Sequence, residues 1–319
     1  MAKQSLPTAP FLTVASAPHL HCGSSIKGMM STILLALFPA VVGAVYWYGM
    51  NALRVMALSI ATAVIVEALC SRLMEKEIRV DDFHAVVVGL MFAFILPADA
   101  VWWLVIAGSA VTMLLGKMLW GNFGGAPISA IAVGWAFCTV SWPIHMSIDA
   151  TMLNTTLINP LSQLKYFGMD AVSDAALYNF FIGDQLGALG AAQTGALLLG
   201  GLILLARGIV TWEIPVATLV AIMVTGGIYH VVDPNLYANP VFHLFTGSTM
   251  LAVFFLLTDF TSTPNTRGGK IVFGLVAGFL IILIRTYGQY NDGVLFAVLL
   301  ASMITPLCDM IKPKPFGAK

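Results

Sequence analysis

Glu67 sits in the middle of a stretch that otherwise carries no charge, Ala63-Val64-Ile65-Val66-Glu67-Ala68-Leu69. A carboxylate at hydrocarbon depth costs several kcal/mol unless it is paired or neutral. A residue kept there relays a cation or a proton, or contacts a cofactor; the plain alternative is a structural hydrogen bond to a neighbouring helix. A second carboxylate, Asp259, closes a later apolar stretch after Thr258. It lies near the edge of that stretch, where charge is cheap. Its side chain can cap the following turn or act with Glu67 as a functional acid.

Other polar groups fall at breaks. Phe245-Thr246-Gly247-Ser248-Thr249-Met250 is a small, hydroxyl-rich interruption of an apolar run. Glycine permits close backbone approach there, and the hydroxyls of Thr246, Ser248 and Thr249 offer hydrogen bonds. Such a patch receives a planar polar ligand or packs two helices tightly. Arg285 and Asp292 flank the loop Thr286-Tyr287-Gly288-Gln289-Tyr290-Asn291. An exposed ion pair between them would be weak, whereas arginine is well shaped to grip a phosphate. Gly274-Leu275-Val276-Ala277-Gly278 is a GxxxG and predicts helix packing. Lys117 stands at a helix end, where its ammonium is expected to snorkel to the surface. Cys22, Cys70, Cys138 and Cys308 are far apart and read as small buried hydrophobes, with no metal site. No GxGxxG, P-loop, HExxH or nucleophile elbow occurs.

The composition names the solvent of the scaffold. Hydrophobic residues make up 59% and charged residues 9%, too little charge for a soluble domain of 319 residues. A net charge of +0 argues against a nucleic-acid face. Apolar stretches of about 18–22 residues fit helices crossing a core about 30 Å thick, and the alternating segments of a β-barrel are missing. The expected fold is an all-α integral membrane protein with about ten spans, near 27–48, 52–72, 84–98, 100–119, 127–146, 188–207, 213–231, 241–259, 268–286 and 292–310. Residues 1–26 form a lead segment without a cleavable signal, 27–310 the polytopic domain, and 311–319 a tail. With both termini cytoplasmic, twelve Lys and Arg lie inside and three (Arg54, Lys165 and Arg285) outside. The long loop at about 147–187 is then extracytoplasmic.

The chain also suggests duplication. Phe83-His84 leads to Gly89, Met91, Phe94 and Pro97-Ala98-Asp99; Phe242-His243 leads to Gly247, Met250, Phe254 and Thr258-Asp259, with small gaps between the two. Five spans per half would give two repeats of inverted topology, an arrangement common in transport proteins.

The stretches Leu244–Leu251, Phe254–Asp259 and Asn265–Gly268, the Gly288…Gly293 turn and Phe296–Ala301 resemble the RnfD/NqrB family. So do Ala15-Ser16-Ala17-Pro18-His19 and Glu67-Ala68-Leu69, and the length matches the RnfD branch rather than the longer NqrB. The resemblance implies a urea-transporter-like fold and a membrane subunit of an Rnf complex. Such a complex passes electrons between ferredoxin and NAD and couples this to sodium or proton translocation across the bacterial inner membrane. Its partners would be the other Rnf subunits, with iron–sulfur and flavin centres. Its cofactor would be FMN, with riboflavin as a second flavin, and Arg285 and the Thr246–Thr249 patch would lie near the flavin. The family attaches FMN in the outer loop at the threonine of Asp-x-x-Ser-x-Ala-Thr. Here the motif reads Asp170-Ala171-Val172-Ser173-Asp174-Ala175-Ala176. Ala176 has no hydroxyl, so the link cannot form there, and Ser173 is three residues away. A second family motif, Asn-x-Phe-Asn-Pro-Ala, is replaced by Ala126-Pro127-Ile128-Ser129-Ala130-Ile131. The alternative to the redox reading is a passive channel or carrier for a small polar solute.

Overall fold

The computed structural model describes residues 25–75, 80–120, 125–152, 157–168, 177–234 and 236–311. Regular structure among the described residues is helical throughout. A first set comprises α1 (Ile26–Tyr48), α2 (Met50–Leu73), α3 (His84–Phe94), α4 (Trp102–Gly116) and α5 (Ala130–Ser141). The described part of the long loop carries four short helices, α6 (Pro143–Met146), α7 (Ile148–Thr151), α8 (Pro160–Phe167) and α9 (Leu177–Ile182). A second set follows: α10 (Thr194–Ala206), α11 (Glu213–Val232), α12 (Pro240–Phe245), α13 (Thr249–Leu251, continued by a π-helix at Ala252–Leu256), α14 (Arg267–Tyr287) and α15 (Val294–Asp309).

The chain is a multi-pass membrane protein, but its crossings are of two kinds. Helices α1, α2, α4 (with the 3-10 turn to Trp120), α11 and α14 are long and apolar enough to cross a bilayer. The others are shorter. Helix α3, at 11 residues, rises only about 16 Å, half the hydrocarbon thickness. The expected span 84–98 therefore ends early. Pro97 disfavours helical geometry in the residue before it, and Ile95, Leu96, Ala98 and Ala100 continue as buried, non-helical backbone. The span expected at 241–259 is broken at 246–248, that at 127–146 stops at Ser141 before Pro143, and that at 188–207 starts at Thr194. Irregular backbone at this depth survives only inside protein. The loop before α10 supplies that cover: the amides of Gly190 and Ala191 donate to the Phe94 carbonyl, and the Leu189 amide donates to that of Leu96.

The two sets pack by one scheme. Helix α2 lies on α3 and α4, and α4 on α5; likewise α11 lies on α12 and α14, and α14 on α15. The sets meet where α1 crosses α10 and α5 meets α15. One cavity gathers the starts of α1, α3 and α5 with the ends of α4, α10 and α13. Another gathers the ends of α3 and α5 with the starts of α13 and α15. The first set thus begins on one face, here termed the N-terminal face, and the second begins on the opposite, large-loop face. The expected inverted repeat is present, and one of the gaps in its alignment has a cause. His84 to Met91 and His243 to Met250 are both seven positions (91−84, 250−243), whereas Met91 to Asp99 is eight and Met250 to Asp259 nine. The extra residue falls where the π-helix widens one turn.

Small residues set the tightest seams. Ser59 on α2 donates to the Gly89 carbonyl of α3 at 2.7 Å and pairs with Ser109 of α4 at 2.9 Å. The predicted GxxxG does pack helices: a Cβ on Gly274 would lie 2.8 Å from Ala217 Cβ, and one on Gly278 would lie 2.6 Å from the Thr218 carbonyl, both on α11. Replacing Gly278 by valine is expected to separate α11 from α14 and cost about 1–3 kcal/mol or more. The measurement is thermal unfolding in detergent, where Gly227→Val serves as control because a Cβ there meets nothing.

Candidate functional site

Glu67 lies towards the N-terminal-face end of α2 rather than at mid-depth. There Lys117 donates to Glu67 Oε1, and the two side chains are 2% (Glu67) and 3% (Lys117) exposed. Lys117 therefore does not snorkel. Helix α4 ends at Gly116, whose bare Cα lets Ala130 at the start of α5 close over it. The lysine is trapped beneath α5, and the carboxylate of α2 is the anion within reach. Glu67 Oε2 has no hydrogen-bond partner among the described residues. Lys117 also lines a cavity of about 50 Å³ with His84, Ser129, Thr258, Asp259 and Thr261. Asp259 Oδ2 accepts from Thr261 Oγ1 at 2.7 Å, and its carbonyl accepts from Thr263 Oγ1 at 2.9 Å. It thus caps its turn while facing the same cavity as Lys117.

On the large-loop face, Arg285 closes the break between α12 and α13. Gly247 takes φ +64°, and a Cβ there would sit 2.6 Å from the guanidinium. Arg285 Nη1 donates to the His243 carbonyl at 2.8 Å, and Nη2 to the Thr246 carbonyl at 2.9 Å and to Asp292 Oδ1 at 2.9 Å. Asp292 Oδ2 in turn accepts from the amide and hydroxyl of Ser248 at 2.7 and 2.6 Å. The pair is not an exposed one: the Arg285 side chain is 2% exposed, against 24% for Asp292. The remaining open carbonyl, that of Phe245, accepts from Thr194 Oγ1 and Gln185 Nε2 at 2.9 and 3.0 Å. Thr246 and Thr249 turn their own hydroxyls onto the carbonyls of Phe242 and His243. The patch between Thr246 and Thr249 is thus a self-satisfied hinge of backbone, with Gly247 and Ser248 facing open space.

That space is a vestibule of about 440 Å³. Its walls include Trp135, Tyr166 and Tyr290, with Asp149, Asn159, Ser248, Asn291 and Asp292 at its polar edges. The loop helix α8 roofs it through a network in which Asp149 accepts from Asn159 at 3.0 Å and Ser162 at 2.5 Å, and Asn291 donates to Ser162 at 2.6 Å. Lys165 clamps the same helix to the α14–α15 turn, donating to the carbonyls of Gly288, Gln289 and Tyr290 at 2.6, 2.8 and 3.2 Å. Desolvation of its ammonium holds Lys165 below the ordinary lysine range. Sequence reading missed this clamp, because its acceptors are backbone atoms that any sequence would supply. Asp170, Ser173 and Ala176 lie outside the described residues. The vestibule's size and aromatic walls fit a flavin ring system, while the acceptor oxygens of Asp149 and Asp292 at its edges do not suit a phosphate.

The whole chain has relatives. Residues 13–317 match the model of the NQR2, RnfD, RnfE family. The chain is 34% identical to the D subunit of the Na(+)-translocating ferredoxin:NAD(+) oxidoreductase complex of Acetobacterium woodii, over 93% of this chain and 92% of the relative. It is 32% identical to the D subunit of the ion-translocating oxidoreductase complex of Yersinia enterocolitica, over 96% and 98% of the two chains. It is also 32% identical to the D subunit of the proton-translocating ferredoxin:NAD(+) oxidoreductase complex of Clostridium ljungdahlii, over 96% of each.

The buried pair gives a test of its own. Lys117→Met alone leaves the Glu67 charge buried without its cation and should cost about 3–5 kcal/mol, whereas joining it to Glu67→Gln should recover most of that loss. Thermal unfolding of both single variants and the double variant measures the coupling. Additive losses would show that the two groups act independently.

Proposed function

Because this chain belongs to the NQR2, RnfD, RnfE family along nearly its whole length, we propose that it works as the D-type membrane subunit of an Rnf complex that couples ferredoxin:NAD electron transfer to sodium or proton movement. Full-length similarity to subunits of such complexes carries the reading. The inverted repeat agrees with it, since it opens a cavity with a carboxylate in its lining on each face. The two cavities share no lining residue, which gives no support to an open passive pore. The excess of Lys and Arg on the N-terminal side supports a cytoplasmic orientation of that face, in a bacterial inner membrane. The expected partners are the iron–sulfur and flavin subunits.

The vestibule is the place for a flavin held without a covalent bond. A bound flavin would supply passage between paired and single electrons. The protein's part is to present Trp135 and Tyr290 to an aromatic ring, to offer Ser248 and Asn291 to its polar edge, and to exclude water beneath α8. Glu67 belongs to the ion-coupling path, with Lys117 as its resident counter-ion and Asp259 as the next carboxylate towards the cytoplasm.

Two experiments test this. Flavin absorbance of the purified complex is recorded before and after denaturation, with in-gel fluorescence of this polypeptide alongside. The expectation is flavin that is present and released. Fluorescence that stays with the denatured chain would mean that another residue accepts the flavin covalently, and a chain with no flavin would remove the redox role. Separately, Glu67→Gln is expected to slow ion uptake into vesicles severalfold at unchanged flavin content. Unaltered pumping and electron transfer would exclude Glu67 from the path.

A further inference from the structure

The large loop does not end above the membrane. Helix α10, which follows it, has 13 residues from Thr194 to Ala206, a rise of about 20 Å. It closes beside Arg207 at the N-terminal face, so its start falls about 10 Å short of the far edge of a core about 30 Å thick. Helix α9 packs against that start, where a Cβ on Gly195 would lie 2.6 Å from the Phe181 carbonyl. A second measure agrees. Helix α11 crosses the membrane in 20 residues and ends at Val232. A Cβ on its Gly226, six positions (232−226) before that end, would lie 3.1 Å from Pro240 Cβ. The start of α12 is therefore already about 9 Å inside. From there α12 runs inward to Phe245, whose ring centroid lies 5.9 Å from that of Phe181. Helix α9 thus lies within the half of the bilayer next to the large-loop face.

At that depth α9 leaves a mixed surface open. Tyr178, Asn179, Phe181 and Ile182 are exposed, while Phe180 is buried against Phe242. Tyr178, Phe181 and Ile182 alone would suit acyl chains, but Asp184 does not. It is exposed directly after α9, and its amide donates to the Asn179 carbonyl at 2.9 Å. Its carboxylate has no ion pair among the described residues. The three basic residues on this side are engaged elsewhere: Arg285 with Asp292, Lys165 with three carbonyls and Arg54 with the Ala100 carbonyl. Ionised groups at membrane depth face protein or a water-filled cavity, and they are paired there. We propose that α9 and Asp184 form a docking surface for a transmembrane helix of a neighbouring subunit. That helix lays apolar side chains on Tyr178, Phe181 and Ile182 and brings a lysine or arginine to Asp184. Exposed aromatic residues suit such an interface, and a desolvated charge there selects the partner that carries its counter-ion. Leu186, Gly187 and Ala188, just after Asp184, line the vestibule, so the neighbouring helix stands outside the vestibule wall. The surface rests on the reading of this chain as one subunit of a complex.

The test is photo-crosslinking in the intact complex within its native membrane, with p-benzoylphenylalanine replacing Tyr178 or Ile182 one at a time. Both side chains are exposed, so the variants are expected to fold, and recovery of the other subunits checks assembly. The expected product is an adduct with the membrane-spanning segment of another subunit, mapped by mass spectrometry to a peptide near a lysine or arginine. Asp184→Lys is expected to lower recovery of that subunit in detergent about tenfold or more, as repulsion in place of a paired charge predicts, and Asp184→Glu to retain it. Adducts with phospholipid or within this chain only, no adduct at all, or equal recovery with Asp184→Lys would overturn the surface. A chain that purifies without other subunits would remove the subunit reading and the surface with it, whereas lipid adducts in an assembled complex would remove the surface alone.

Discussion

Inside a bilayer no water can satisfy an open backbone group, and this constraint decides where the chain is allowed to leave the helix. Among the described residues the clearest cases are after α3 and between α12 and α13. Each departure is matched by donors from elsewhere in the fold. The end of α3 is closed by three amides of the segment before α10. The second break is closed by one guanidinium, two hydroxyls and a glutamine amide. Arg285 contributes most, because its planar fork reaches two carbonyls and a carboxylate at once. Everything that makes the vestibule, from the position of Ser248 to the placement of Asp292, depends on that guanidinium staying where it is.

The long and short helices divide the labour. Helices α2 and α4, and their counterparts α11 and α14, pack side by side through serine and glycine seams. They form two stiff walls, and the short helices lie between them. The cavities open where short helices stop, since a helix that ends inside the protein leaves volume that side chains from several elements can share. This explains why polar residues distant in sequence, such as Lys117 and Asp259, come to line one space.

Much of this was legible in the sequence, for identifiable reasons. Apolar length marked the long spans, since composition and helix rise fix that relation. The repeat was visible in Phe83-His84 and Phe242-His243, and the glycine pair at 274 and 278 announced its seam. The short helices were not legible. Ile95, Leu96 and Ala98 are as apolar as α3 itself, so hydropathy does not separate buried irregular chain from helix. Lys117 was misread because a lysine at a helix end ordinarily reaches water, and only the three-dimensional position of Glu67, fifty residues earlier (117−67), reverses that. The Arg285–Asp292 pair was visible as a pair, but its burial was not, since the cover comes from α8 and the hinge around Gly247. For Glu67 the cost of the charge was plain from its apolar neighbours, and the structure identifies what stands opposite it.

The two faces hold their buried charges with different bases, and the difference is chemical rather than geometric. Lysine and glutamate can become two neutral molecules by moving one proton along the bond that joins them. Arginine cannot surrender its proton in a protein. The Glu67–Lys117 pair can therefore be present either as a dipole of full charges or as an uncharged contact, without any atom heavier than hydrogen changing place. The Arg285 side of the other pair is a cation in every state of the protein. Duplication gave the chain two similar ends, and the choice of base has made one of them electrically adjustable and the other a fixed reference.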